Sequence, residues 1–250
     1  RSLLLDGDRV VGVELQNGEQ ISAQRVVSNA DIWSTLAMLP DGAAEAWQRQ
    51  RVETPRCNSF LHLHLGFDAS GLAPLPIHTV WVDDWNRGIA AERNVVVLSV
   101  PSVLDASMAP AGRHVLHGYT PASEPWSLWR EHTRGTPAYD ALKQERCEVF
   151  WRVLERTIPD IRDRCDLVME GTPLTHSHFL NVSEGSYGPA LSAAKGLFPG
   201  VTTPLENLWL CGASTFPGIA IPPVAASGAM AANAILGGQA QTRLLKEVGI

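Results

Sequence analysis

Asn207-Leu-Trp-Leu-Cys-Gly212-Ala-Ser-Thr-Phe-Pro217-Gly218-Ile-Ala-Ile-Pro-Pro-Val224-Ala-Ala-Ser-Gly228-Ala-Met-Ala-Ala-Asn-Ala-Ile235 is the stretch that decides the fold. It opens on a short apolar run, residues 208–211, of the length and character of a buried strand. Residues 212–223 follow as a Gly- and Pro-rich loop, where the backbone can approach a ligand closely. A helix built almost wholly of small residues then spans 224–236. Pro222 and Pro223 sit where a first helical turn tolerates proline, and no acidic side chain competes at that end. A strand, a glycine loop and a bare helix N-terminus together suit an electron-rich group.

The spelling Gly212-Ala213-Ser214-Thr215-Phe216-Pro217-Gly218 resembles the C-terminal flavin motif of the carotenoid desaturase and isomerase family of FAD-dependent, amine-oxidase-like flavoproteins. Three more segments extend the likeness: 59–66 (SFLHLHLG), 171–176 (GTPLTH) and 185–189 (GSYGP) look most like the carotenoid cis–trans isomerase branch. The match runs over nearly the whole chain and is densest after Gly171. It implies FAD as cofactor and an apolar carotenoid or isoprenoid as substrate. Gly212, Ala213, Ser214 and Gly218 then belong to the cofactor loop, with Gly212 and Ala213 near the ribityl and phosphate region. Ile221, Pro222, Pro223 and Val224 form the helix end that meets the pyrimidine edge of the flavin. Many members carry Asp where this chain has Ala213, so one ribityl hydrogen bond is missing, as in bacterial phytoene desaturases.

The 250 residues suffice for one large domain or two small ones with a real core. A net charge of −6 and the lack of a basic tract give no footprint for nucleic acid. Cys57, Cys147, Cys165 and Cys211 are widely spaced, without a CxxC pair, and read as reduced, mostly buried thiols of an intracellular protein. No run of 18 apolar residues occurs. The start, Arg1-Ser-Leu-Leu-Leu, runs straight into a strand, and no strand–GxGxxG–helix fingerprint follows anywhere. In the resembled family that fingerprint is N-terminal, so the chain reads as a C-terminal portion carrying part of a flavin site and inactive by itself.

Residues 9–16 alternate as a half-buried strand, Asn17-Gly18 is a hairpin turn, and 20–23 return. Residues 25–28 read as a short buried strand, and Asp31 as the N-cap of a helix over 32–38. A second short helix is expected at 43–52. Alternation at 60–67, 77–82, 94–100 and 113–119 predicts an antiparallel sheet. A helix is expected over 138–158, with Leu142, Val149, Phe150, Val153 and Leu154 in one apolar stripe and charges opposite. A strand at 166–170 and a short helix from Thr172-Pro173 come next, then a loop at 192–199. Gly237-Gly238 stops the small-residue helix, and a tail helix covers 242–248.

The fold class expected is therefore α/β (α+β). Residues 1–52 and 186–250 contribute a partial, Rossmann-like FAD-binding domain, and 53–185 an antiparallel-sheet substrate domain. His62 and His64 lie two apart on a strand and share a face. A metal would need a third ligand supplied by the fold; His114, His117, His176 and His178 are available, but the sequence singles out none, so no metal is expected. The resemblance places His62, His64, His176 and Tyr187 along the substrate channel. Trp126 and Trp129 suggest contact with a lipid headgroup layer. With an apolar substrate, this points to a peripheral position on a thylakoid, plastid or cytoplasmic membrane.

No nucleophile–base pair, carboxylate pair, P-loop or zinc spacing is present, so no catalytic side chain is assigned. That fits chemistry carried by a cofactor. The isomerase branch implies cis–trans isomerisation of a poly-cis lycopene with reduced flavin and no net redox change. A desaturase or retinol-saturase relative, and a non-catalytic isoprenoid-binding paralogue, stay open.

Overall fold

The computed structural model describes residues 1–191 and 198–249. In chain order it holds β1 (Ser2–Asp6), β2 (Arg9–Glu14), β3 (Gln20–Ser22), β4 (Val26–Ser28), α1 (Ile32–Ala37) and α2 (Glu45–Val52). Next come β5 (His62–Asp68), β6 (His78–Val82), β7 (Val95–Ser99), β8 (Arg113–Tyr119), α3 (Pro137–Leu154), α4 (Ile161–Arg164) and β9 (Cys165–Gly171). The chain closes with α5 (Pro173–Leu180), β10 (Leu208–Leu210), α6 (Ile221–Leu236) and α7 (Gly238–Glu247). The loop expected at 192–199 lies mostly outside the described residues.

The mixture of helix and sheet is that of an α/β protein, and it separates into two compact units. One comprises residues 1–57 and 187–250, the other residues 58–186. In the first, β1, β2 and β3 form an antiparallel meander. Its second turn is the Asn17-Gly18 hairpin, where Gly18 takes φ +86° and Asn17 Oδ1 accepts the Glu19 N–H at 3.0 Å. β4 and β10 pair in parallel, Val26 to Leu208 and Ser28 to Leu210, joining sequence segments 182 residues apart. Leu3, Val10, Leu205 and Leu208 form one small core, and Ile32, Trp33, Leu36 and Leu210 another. Asp31 caps α1 by accepting the Ser34 N–H at 2.7 Å, and the Trp33 indole donates to the Thr54 carbonyl at 3.0 Å.

The second unit is a five-stranded antiparallel sheet ordered β6-β7-β8-β5-β9. β5 lies between β8 and β9. It alternates strictly: Leu63, Leu65 and Phe67 are buried, as is Leu61 just before it, while His62 and His64 point to the opposite face. The apolar face packs against Val149, Phe150, Val153 and Leu154 of α3, with Trp129, Ile158 and Ile161 completing the core. Each such fully buried side chain stabilises by roughly 1.5–3 kcal/mol.

Four expectations are corrected here. α3 ends at Leu154, not 158, because Glu155 caps it and the chain turns toward Pro159. Its charges do not all lie opposite the apolar stripe: Arg146 is buried, and so is its partner Glu124 from the preceding loop. Glu124 accepts from Arg146 Nε at 2.9 Å and Nη2 at 2.8 Å, and from the Trp129 indole at 2.8 Å. Trp129 is therefore wholly enclosed and cannot meet a headgroup layer, and Trp126 is packed against the same core. Of the four thiols only Cys147 is buried; the others are half-buried. No helix among the described residues is long and apolar enough to cross a membrane.

Candidate functional site

In the first unit the glycine loop springs directly from β10. Cys211 donates its N–H to the Ser28 carbonyl at 2.9 Å, prolonging the β4–β10 pairing by one step. Gly212 then turns with φ +102°, and a Cβ there would stand 2.5 Å from Asn29 Oδ1, so the position has no room for a side chain as the neighbours stand. The Gly212 N–H donates to Ser227 Oγ at 2.8 Å, while that hydroxyl donates to the Val224 carbonyl at 2.6 Å. This ties the loop to the first turns of α6. Thr215 N–H returns to the Gly212 carbonyl at 3.0 Å, and Gly218 takes φ +117° beside the Phe198 ring. Ser227 was not singled out from sequence. Its signal was there, as the one hydroxyl in a helix of small apolar residues.

α6 begins at Ile221, three residues earlier than the sequence pattern suggested, and takes both prolines into its first turn. This narrows the supply of donors. Pro222 and Pro223 carry no N–H, and the Val224 N–H closes the first turn on the Ala220 carbonyl at 2.9 Å. Of the four residues expected to present backbone N–H groups, only Ile221 can direct one outward from the helix. Ile221 is 87% exposed, and no acidic residue lies in that turn. Nor do all the small residues serve close packing: Ser227 and Ala231, one turn apart, are buried, whereas Ala225, Ala229 and Ala232 are exposed.

Tyr187 also falls in the first unit and is half-buried. Its neighbour Gly188 accepts from the Cys57 N–H at 2.9 Å, and a Cβ on Gly188 would come 3.1 Å from the Ala213 carbonyl. The 187–189 segment thus lies against the glycine loop through Gly188.

His62, His64 and His176 belong to the second unit. Register places His64 directly opposite His117 of β8, and His62 opposite Tyr119. His62 Nδ1 and His117 Nε2 share a hydrogen bond of 2.7 Å, and the His64 and His117 rings stack with centroids 4.5 Å apart. His176, on α5, meets the His62 ring edge-on at 4.8 Å. Ser59 Oγ donates to the Gly185 carbonyl at 2.6 Å and stands 3.1 Å from His176 Nδ1. Since the hydroxyl's proton is committed to a carbonyl, the imidazole is the donor to Ser59. Burial, then the neighbouring imidazoles, holds the His62 pKa down at about 3. Burial and then His64 hold His117 at about 4, and burial lowers His64 and His176 as well. Charging one ring penalises the next, so the cluster is neutral at pH 7.

Residues 1–236 match the family model described as flavin containing amine oxidoreductase. The chain belongs to the flavin-containing amine oxidoreductase family. Within this family it is 34% identical over its full length to the chloroplastic prolycopene isomerase of Arabidopsis thaliana, covering 43% of that protein. It is 27% identical to the lycopene-forming phytoene desaturase of Pantoea ananas, over 92% of this chain and 48% of that one. Among solved structures, cyclohexylamine oxidase from Brevibacterium oxydans shares the fold, with TM-score 0.54, 16% identity, and coverage of 91% of this chain and 45% of that chain. The chain thus spans somewhat less than half the length of these relatives.

FAD is the cofactor that family membership implies, and the glycine loop fits it. Ser214 Oγ is buried without a hydrogen-bond partner among the described residues, in the loop that would receive the cofactor. A buried hydroxyl left unpaired costs about 1–3 kcal/mol, which a ligand acceptor or donor would recover. Gly212 and Gly218, both at positive φ, present bare backbone beside it.

Proposed function

We propose that the protein is an FAD-dependent carotenoid cis–trans isomerase, converting a poly-cis lycopene to the all-trans form without net redox change. The observation that carries this reading is the 34% identity to a prolycopene isomerase along the whole chain. Gly212, Ala213, Ser214 and Gly218 hold the cofactor through bare backbone and the Ser214 hydroxyl. Ile221 and the α6 N-terminus, worth roughly half a positive charge, would suit its electron-rich edge. Pro222, Pro223 and Val224 fix the start of that helix. When bound and reduced, FAD supplies electron density that eases rotation about a polyene double bond.

In the second unit, the open face of the sheet offers the polyene an apolar surface. Val80, Val115, Leu167 and Met169 share the face of His62 and His64 by strand register. Val80, Leu167 and Met169 are about half exposed or more. The imidazoles of His62 and His64 lie on this face among the apolar side chains. In this reading His176 belongs to the substrate surface of the second unit, and Tyr187 stands in the first unit beside the cofactor loop. An apolar substrate of this kind calls for peripheral contact with a lipid surface, and a plastid or cytoplasmic membrane supplies one.

Similarity to a phytoene desaturase favours one alternative, removal of two hydrogens from a saturated bond of the same substrate class. Product mass separates the two. Incubation of the full-length protein with FAD and poly-cis lycopene leaves the mass unchanged for an isomerase when a reductant is supplied, and lowers it by two hydrogens for a desaturase when an electron acceptor is supplied instead.

A further inference from the structure

The face of β5 and β8 turned away from α3 carries His62, His64 and His117 side by side. One ligand nitrogen from each can be chosen so that all three lie within 4.8 Å of one another. We propose that these three histidines form a binding site for a divalent first-row transition-metal ion, with Zn2+ as the expected occupant.

The donor set follows from the sheet. His62 and His64 share a face because side chains alternate along β5. The β5–β8 register puts His117 across from His64 and diagonal to His62, so the three rings form a triangle on two paired strands. β5 is paired on both sides, to β8 and β9, which fixes the backbone under two of the three ligands. The rings of His62 and His64 lie within 6° of parallel, and those of His62 and His117 within 3°. Three imidazoles are a donor set that catalytic zinc sites use, with the fourth position open. His64 is the exposed member of the three.

Binding asks the rings to turn, since His62 Nδ1 and His117 Nε2 face one another across their hydrogen bond. Two imidazole nitrogens on one tetrahedral Zn2+ stand roughly 3.3 Å apart, given Zn–N bonds of about 2.0–2.1 Å. The 2.7 Å hydrogen bond between His62 Nδ1 and His117 Nε2 must therefore open slightly, and the longest separation must close. The proton of that bond moves to the other nitrogen of its own ring, a change of tautomer that releases nothing to solvent. Neutral imidazole is the ligating form. Imidazole ligands suit Zn, Cu, Ni and Fe, whereas Mg and Ca prefer oxygen, which sets the class of ion.

The test uses the full-length protein purified without a polyhistidine tag, stripped with chelator and titrated with Co2+ as a spectroscopic probe. The expected result is one Co2+ per chain with visible d–d absorption, displaced by Zn2+. His64→Gln and His117→Gln each weaken Co2+ binding at least tenfold, while His78→Gln, on the same sheet but bonded to Ser99 at 2.8 Å, leaves it unchanged. Retained far-UV circular dichroism in each variant shows that the loss is one of ligands and not of fold. X-ray absorption at the Zn edge of the loaded wild-type protein gives a reading independent of any variant, with three imidazole ligands expected. Binding below half an equivalent, unchanged affinity in the folded His64 and His117 variants, or fewer than three imidazoles in the Zn spectrum would overturn the proposal.

Discussion

Replacing Glu124 by Gln removes one buried charge while keeping shape, and the structure allows its cost to be worked out. The carboxylate is fully enclosed and accepts from Arg146 Nε, Arg146 Nη2 and the Trp129 indole. Arg146 is 5% exposed and, among the described residues, keeps one other carboxylate, Glu92 at 2.8 Å. Breaking a buried pair by removing one partner costs about 3–5 kcal/mol, because the remaining charge is stranded. Two features set the value near the lower bound: Glu92 still faces the guanidinium, and the Gln carbonyl can still accept from Trp129. The expected loss is therefore about 3 kcal/mol. With a urea dependence of about 2 kcal/mol per molar, the midpoint of the transition reporting on this unit falls by about 1.5 M. The assay is equilibrium urea unfolding of the full-length protein, followed by tryptophan fluorescence and far-UV circular dichroism. Glu124→Gln/Arg146→Met removes both charges and should be no less stable than the single variant. A midpoint shift under about 0.3 M, or a double variant that loses the sum of the singles, would refute the reasoning.

Two further substitutions probe the glycines. Gly212→Ala forces a side chain into φ +102° with its Cβ 2.5 Å from Asn29 Oδ1, and should weaken FAD at least tenfold in equilibrium binding; adding Asn29→Ala relieves the overlap and recovers part of the loss. Gly185→Ala sets a Cβ 2.3 Å from the Pro173 carbonyl oxygen at φ +60°, where only backbone can give way. It should destabilise by about 3 kcal/mol or more in the same urea experiment and loosen the Ser59–Gly185 hydrogen bond; a variant as stable as wild type contradicts the geometry.

Local chemistry made much of this fold legible. Asn17-Gly18 marks its own hairpin, Asp31 its own helix start, and residues 60–67 state which side of β5 is buried. What local patterns leave open is register between distant strands. His62 and His64 were placed on one face from sequence, but nothing near His117 says that it will stand opposite His64, because that pairing joins strands some fifty residues apart. Arg146 misled for a related reason. In a helical wheel its position, four residues after Leu142 and four before Phe150, lies on the apolar stripe; only its charge argued for solvent, and the loop carrying Glu124 makes its burial tolerable. Trp129 is the same case from the other side, since its indole finds a buried acceptor and needs no interface. In α6 the position of the prolines was clear, whereas their effect in sparing only Ile221 depended on where the first helical bond closes.

The most direct measurement incubates the full-length protein with FAD and poly-cis lycopene under anaerobic, reducing conditions, and records product mass and visible spectrum together. The account predicts an all-trans spectrum at unchanged mass, lost when FAD is omitted. A product heavier by two hydrogens, a product lighter by two hydrogens when an electron acceptor replaces the reductant, or no conversion by protein that has bound flavin, would contradict it.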